Sequence, residues 1–196
     1  MIQIKEIVNS IFTSKTYILY HEGESRAWLV DIGDIEPVMA FCNEKGLSIE
    51  GVFLTHGHFD HIYGLESLEE RFPECRVYAT EYCKKALASD KMNLSRYHGS
   101  SFSYGGENVE VVHEGESIVL LEDEPSMFFY ETAGHNPGCL TMVIGDLVFT
   151  GDAYIPEVGA NTQLPHADKE LAKQSQQRII EMAEGKRILS GHQVII

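Results

Sequence analysis

A short loop rich in metal-binding side chains constrains this chain more than any other feature. The loop follows an apolar run that ends at Leu54, and its six residues place His56, His58, Asp60 and His61 close together. Three imidazoles and one carboxylate can hold first-row divalent ions, and imidazole-rich sites that contain a carboxylate favour zinc. The alternative is a polar loop without an ion, because a short histidine-rich tract is only a compositional indication of metal.

Size and composition predict a single folded domain spanning residues 1–196, with a hydrophobic content of 43%. Thirty acidic residues against fifteen basic residues leave a formal net charge of -15, which disfavours nucleic acid and anionic membranes as partners. No apolar run approaches the roughly 18 residues of a membrane span. The N-terminus also lacks the basic start and long apolar core of a signal peptide. We therefore expect a cytoplasmic protein whose four cysteines are reduced thiols.

Hydrophobic periodicity predicts a β-rich start, a helix-containing middle, a β-rich second half, and a closing helix and strand. The predicted helices cover residues 35–44, with Asp34 as N-cap, and then residues 60–71, 81–88 and 168–184. After the opening meander, the predicted strands cover residues 49–55, 76–79, 109–112, 117–121, 127–131, 140–144, 147–150 and 187–190. This order lacks the regular alternation that predicts a purely parallel sheet, and it indicates an α+β fold.

Three later segments share one pattern, in which an apolar strand ends at a glycine and a side chain that can bind metal follows. The side chains that follow these glycines are His135, Asp152 and His192. If the strands share an orientation, these ligand candidates emerge at one edge of the fold together with the loop from His56 to His61.

This set of motifs resembles the metallo-β-lactamase superfamily of metallohydrolases along nearly the whole chain, with a glyoxalase II-like motif content. The motifs that carry the resemblance are Thr-His-Gly-His-Phe-Asp-His, Gly-His-Asn-Pro-Gly, Thr-Gly-Asp and the closing Ser-Gly-His. The resemblance implies an αββα four-layer sandwich, with two sheets face to face, helices outside, and a dinuclear site at one sheet edge.

The resemblance also implies how the candidate ligands divide between two ions. By position, one ion takes His56, His58 and His135, the other takes Asp60, His61 and His192, and Asp152 bridges both. Two divalent ions about 3.5–4 Å apart can share a hydroxide and stabilise oxygen charge on a substrate. Asp60 and Asp152 are then the catalytic carboxylates. Asp31 resembles an early structural acid of the family, and an ordinary turn aspartate is the alternative.

We therefore expect a dinuclear zinc hydrolase, with iron or manganese as alternative metals. It would use a metal-bridging hydroxide on a small ester-like substrate, with thioesters and lactones favoured over amides. Two alternatives stay open. One is an oxidoreductase that resembles persulfide dioxygenases and holds one iron at the His56 end, and the other is a non-catalytic metal-binding domain.

Substrate contacts are expected from loops within the chain or from a second subunit in a homodimer. Because only four residues follow His192, we expect this chain to lack the helical C-terminal domain that holds glutathione in glyoxalase II. Cys139 stands where many glyoxalase II relatives carry a second histidine, and we interpret it as a small buried residue. The expected loops cover residues 89–106 and 154–168, where Tyr154 and Asn161 are candidates. The remaining histidines are interpreted as surface or structural residues: His21, His98, His113 and His166.

Overall fold

The first of two mixed β-sheets contains the N-terminal strands of the chain. A computed structural model describes residues 2–99, 101–120 and 125–194. The strands of the first sheet lie in chain order: β1 (Gln3–Val8), β2 (Lys15–Tyr20), β3 (Arg26–Val30), β4 (Ser48–Phe53), β5 (Arg76–Ala79) and β6 (Val109–Val111). Strands β1 to β3 are antiparallel, whereas β3 to β6 run parallel to one another.

The second sheet contains the later strands in the reverse order. Its strands are β7 (Ser117–Ile118), β8 (Met127–Glu131), β9 (Leu140–Ile144), β10 (Leu147–Gly151) and β11 (Arg187–Ser190), with β7 and β11 at opposite edges. Among the described strands of this sheet, only β10 and β11 pair in parallel. The strand predicted over residues 117–121 ends earlier, at Ile118, and Leu121 lies outside the described residues.

The inner strands β2 and β3 of the first sheet bury both of their faces. In β3, Trp28 and Val30 point toward the second sheet and pack with residues such as Phe129, whereas Ala27 and Leu29 point toward the helices. This alternation follows from the two-residue period of a strand. Because both faces are covered, the segment appears in the sequence as a continuous apolar run.

Helices cover the outer faces of the two sheets. The helices are α1 (Ile35–Lys45), α2 (Leu65–Arg71), α3 (Glu81–Leu87) and α4 (Lys169–Met182). The first three contribute buried side chains to the core outside the first sheet, and Ile179 of α4 packs with Cys139 and Ala153 beside the second sheet. The predicted αββα sandwich is confirmed. Among the described residues, no helix combines the length and the apolar character needed to cross a membrane.

The helix predicted over residues 60–71 begins later than its periodicity indicates. A single 3-10 turn covers Phe59–His61, and α2 begins only at Leu65. The carbonyl of His61 accepts a hydrogen bond from the backbone N–H of Ile32 at 2.9 Å. The carbonyl of Asp60 accepts one from the Ser14 hydroxyl at 2.6 Å. Contacts with distant segments of the chain therefore replace the helical hydrogen bonds that these two carbonyls would otherwise accept.

Two predicted details of the chain have different outcomes. Asp34 does precede α1, but its carboxylate accepts hydrogen bonds from Ser10 and Tyr63 and caps no helical N–H group. The four cysteines are free and buried, which agrees with the prediction of unpaired thiols: Cys42, Cys75, Cys83 and Cys139.

Candidate metal centre

The candidate ligands gather where strands of both sheets end. The backbone N–H of Asp31, just after β3, donates to the carbonyl of Phe53 at the end of β4. In the second sheet, the N–H of Gly191 donates to the carbonyl of Gly151, which brings the ends of β10 and β11 together. The N–H of Leu140 donates to the carbonyl of Thr55 at 2.7 Å and joins the two sheets at this edge.

All seven predicted ligands lie in this one cluster. Three groups offer ligand atoms within 4.8 Å of one another: His56, His58 and His135; His56, His61 and Asp152; Asp60, His61 and His192. The first and third groups are the two sets that the sequence predicts for separate ions. The middle group contains a member of each of these sets together with Asp152.

Asp152 lies between the two sets of ligands. Its Oδ2 atom is 3.5 Å from Nε2 of His135 and 3.2 Å from Nε2 of His192. Nε2 of His61 lies 3.5 Å from the other carboxylate oxygen, Oδ1. The glycine before His192 permits this approach, since a Cβ atom at Gly191 would lie 2.2 Å from Oδ1 of Asp152. Asp152 therefore has the position expected of a bridging ligand.

Two ligand atoms in the cluster support the presence of a bound cation. Among the described residues, Nε2 of His56 and Oδ1 of Asp152 are buried and have no hydrogen-bond partner. Leaving such a polar atom buried and unpaired costs about 1–3 kcal/mol. A divalent ion would satisfy both atoms, and imidazole with carboxylate is a donor set that suits zinc, iron and manganese. The residues therefore fit the metal that the sequence predicts.

The histidine rings are oriented by hydrogen bonds to the nitrogen that faces away from the cluster. Nδ1 of His135 lies 2.8 Å from the carbonyl of Asn161, and Nδ1 of His192 lies 2.8 Å from the carbonyl of Phe12. His58 is reversed: its Nε2 lies 3.0 Å from the side-chain amide of Asn136. The carbonyl contacts of His135 and His192 fix these two rings and direct the remaining nitrogen of each toward an ion.

Asp31 supports this arrangement of histidines through hydrogen bonds. Its buried carboxylate accepts hydrogen bonds from the backbone N–H of Thr55 at 2.8 Å, the Thr55 hydroxyl at 2.7 Å and Nδ1 of His61 at 2.8 Å. The Thr55 hydroxyl also lies 3.0 Å from Nδ1 of His56. Asp31 therefore orients a histidine of the cluster, as the resemblance implies, and is more than an ordinary turn residue.

The protein environment divides the histidines into two electrostatic classes. Burial lowers the pKa of His56 well below its usual value, and neighbouring imidazoles add to this effect. Burial and the ring of His135 lower the pKa of His58 to about 3. Both rings are therefore neutral near pH 7, which is the protonation state that metal binding requires.

Carboxylates have the opposite effect on the other two rings. Burial by itself would lower the pKa of His61, but Asp60, Asp152 and Asp31 raise it to about 9. Hydrogen bonds to Asp152 and Asp60 outweigh burial at His192 and raise its pKa to about 11. The positive imidazoles in turn outweigh burial at Asp60 and Asp152 and lower the pKa of both carboxyl groups. Both aspartates are therefore ionised near pH 7.

The cluster opens into a cavity of about 350 Å³, which is the size of a small-molecule site. Its walls include five of the seven ligand candidates and, from the two predicted loops, Leu94, His98, Asn161 and Leu164. Both loops from which we expect substrate contacts therefore line the cavity, whereas the side chain of Tyr154 packs against the cluster around Cys139. Phe12 and His98 also line the cavity. No sequence motif points to Phe12, and His98 is interpreted from the sequence as a surface or structural histidine.

A sequence model of the metallo-beta-lactamase superfamily matches residues 15–192. The chain belongs to this superfamily. Along 172 residues it is 28% identical to a hydroxyacylglutathione hydrolase of Enterobacter sp. (strain 638), an alignment that covers 88% of this chain and 59% of that protein. The chain spans about half the length of the curated relatives it matches.

Solved structures of other proteins share the fold. The B3 metallo-beta-lactamase BLEG-1 superposes with a TM-score of 0.89 and 23% sequence identity, over 99% of this chain and 93% of that chain. TTHA1623, solved in a di-iron-bound form, superposes with a TM-score of 0.83 and 24% identity, over 97% and 92% of the two chains. The superfamily resemblance drawn from the motifs is confirmed.

Proposed function

We propose that this chain is a zinc-dependent hydrolase with two metal ions that cleaves a small thioester or lactone. The observation that carries the proposal is the position of Asp152 between two sets of buried ligand atoms at the base of the cavity. In this proposal one ion binds His56, His58 and His135, the other binds Asp60, His61 and His192, and Asp152 bridges the two.

The bound ions would lower the pKa of a water molecule and stabilise the oxygen charge that develops on the substrate. The protein would position the attacking water and accept a proton from it. Asp60 lines the cavity and is ionised near pH 7, so its carboxylate can orient the attacking water and accept a proton from it. Its Oδ2 atom lies 3.3 Å from Nε2 of His192 and 3.4 Å from Nε2 of His61, so these three candidate ligand atoms lie close enough to share one ion.

The relatives favour a thioester among the ester-like substrates. The Enterobacter relative is named for the hydrolysis of acyl groups from glutathione, which means cleavage of a thioester. Its glutathione specificity is not part of the proposal, because this chain matches only 59% of that protein. The four buried free thiols support a reducing compartment, and we propose the cytoplasm.

The test is a substrate panel assayed with zinc-loaded protein. The panel contains acyl thioesters, lactones, β-lactams and glutathione persulfide. We expect thioester or lactone hydrolysis that falls more than about a hundredfold in kcat/KM for Asp152→Asn, since that change removes a shared charge at the centre of the site. The matched control is Asp146→Asn, an exposed aspartate in the turn between β9 and β10, which should retain wild-type activity.

Two outcomes would contradict the proposed hydrolase. Persulfide-dependent oxygen uptake by protein that holds a single iron would support the persulfide-dioxygenase-like alternative. Failure to hydrolyse any member of the panel by protein that holds stoichiometric metal would support a non-catalytic metal-binding domain.

A further inference from the structure

An aromatic wall of the cavity lies beside the ligand cluster. We define the aromatic wall as Phe12, Phe59 and His98, all of which line the cavity. The ring centroids of Phe12 and His98 are 4.9 Å apart in an edge-to-face contact, and His98 lies parallel to Phe59 at 6.1 Å. Leu94 and Leu164 extend this apolar surface within the same cavity.

Phe12 is held at the cavity by its backbone and not by burial. Its side chain is 57% exposed, so the fold gains little from this large apolar group. Phe12 and Thr13 have φ angles of 53° and 57°, a left-handed conformation that is unfavourable for residues other than glycine. The carbonyl of Phe12 bonds to Nδ1 of His192, and the carbonyl of Thr13 accepts from the N–H of Gln193 at 3.0 Å. Local backbone strain of this kind is often found at functional sites.

The wall lies next to the expected position of the reacting bond. Phe59 directly precedes the candidate ligand Asp60, and Phe12 bonds through its backbone to the candidate ligand His192. A group attached directly to the reacting carbonyl would therefore reach the aromatic wall. Exposed aromatic faces and edges provide a favourable surface for another ring or an apolar chain.

The described walls of the cavity provide no lysine or arginine side chain to pair with an anionic group at this position. Among the described residues that line it, none is lysine or arginine, while Asp60 and Asp152 both contribute to its surface. The formal net charge of -15 acts in the same direction at longer range. A carboxylate next to the reacting carbonyl would find no lysine or arginine partner on these walls and would have to give up its hydration.

We infer that the substrate carries an uncharged, apolar acyl group, with an aromatic group bound best, and that Phe12 selects it. This inference rests on the proposed hydrolysis of an ester-like bond and adds the class of acyl group. Phe12 is the residue that determines specificity, and it takes no part in the chemical step.

The experiment compares three thioesters that share one uncharged thiol, N-acetylcysteamine, so that the leaving group stays constant. Their acyl groups are phenylacetyl, acetyl and succinyl, which are aromatic, small and anionic. We expect the order of kcat/KM to be phenylacetyl, then acetyl, then succinyl. In Phe12→Ala the value for phenylacetyl should fall about tenfold, mainly through KM, with a change of less than about twofold for acetyl.

The ratio of the two substrates separates specificity from damage to the site. If Phe12→Ala displaced His192, both thioesters would lose activity in the same proportion. Phe12→Leu keeps an apolar side chain and should recover part of the phenylacetyl activity. The matched control is Phe128→Ala, which removes an equally large ring that is 44% exposed on β8 and does not line the cavity.

Equal losses for phenylacetyl and acetyl, or a wild-type preference for succinyl, would overturn the inference and leave the proposed hydrolase intact. Absence of hydrolysis with every thioester and lactone would instead count against the proposed function itself, and the inference would fall with it. A preserved order of substrates together with a selective loss in Phe12→Ala would support both.

Discussion

Asp31→Asn tests how far the site depends on a residue outside the proposed ligand set. The two carboxylate oxygens of Asp31 accept three hydrogen bonds, from two donors of Thr55 and from Nδ1 of His61. An amide of the same shape must direct its NH₂ group at one of these positions, where a donor already lies. Asparagine tolerates the left-handed backbone at this residue, where φ is 55°, so the change is largely electrostatic.

The expected cost follows from one buried donor left without an acceptor, which is about 2 kcal/mol. For a chain of 196 residues, a loss of this size lowers Tm by about 4–8 °C. This shift should be measured by calorimetry on chelator-treated protein, so that loss of metal does not contribute. Zinc affinity at the set that contains His61 should also fall about 10–100-fold, because the ring loses the contact that orients it.

Asp34→Asn is the matched control for this prediction. Asp34 also accepts three hydrogen bonds, from the N–H and hydroxyl of Ser10 and from the hydroxyl of Tyr63, but it lies outside the ligand cluster. We expect a smaller change in Tm and unchanged zinc affinity for this variant. Wild-type Tm and wild-type zinc affinity in Asp31→Asn would refute the role assigned to Asp31.

Two further predictions concern packing and pH. A Cβ atom at Gly134 would lie 2.3 Å from the Cα of Ala172 in α4. Gly134→Ala should therefore lower the free energy of unfolding, measured by chemical denaturation, by about 2–3 kcal/mol. The control Gly105→Ala, at a position with open space around it, should lower it little. Despite burial, carboxylates raise the pKa of His61 to about 9 and of His192 to about 11, so zinc must displace protons there. During dialysis against a weak chelator, we therefore expect one zinc equivalent to be lost before the other as the pH falls from 8 to 6. Loss of the two zinc equivalents in parallel would contradict this expectation.

The sequence predicted much of the fold because its strands and helices carry strong local patterns. The buried strands appear as apolar runs, and α1 ends one residue beyond its predicted limit, before Gly46 in the left-handed conformation. The start of α2 could not be predicted, since the carbonyls of Asp60 and His61 bond to Ser14 and Ile32 from distant parts of the chain. Periodicity contains no information about such contacts.

The candidate site could likewise be predicted only in part. The seven ligand candidates were predictable because each belongs to a short motif at a strand end, and the structure brings all of them together. The aromatic wall was not predictable, because Phe12 lies in an irregular turn and His98 in a polar loop without a motif. Their contact joins two loops from distant parts of the chain, about which local sequence patterns contain no information.

The measurement that tests the central claim most directly is the number of zinc ions bound per chain, counted by native mass spectrometry after zinc reconstitution. We expect two ions for the wild type, and one each for His58→Ala and His192→Ala, which remove ligands from different sets. The exposed histidine variant His113→Ala should retain two. A wild-type chain that binds one ion or none, or a single substitution that removes both ions, would contradict two ions that share Asp152.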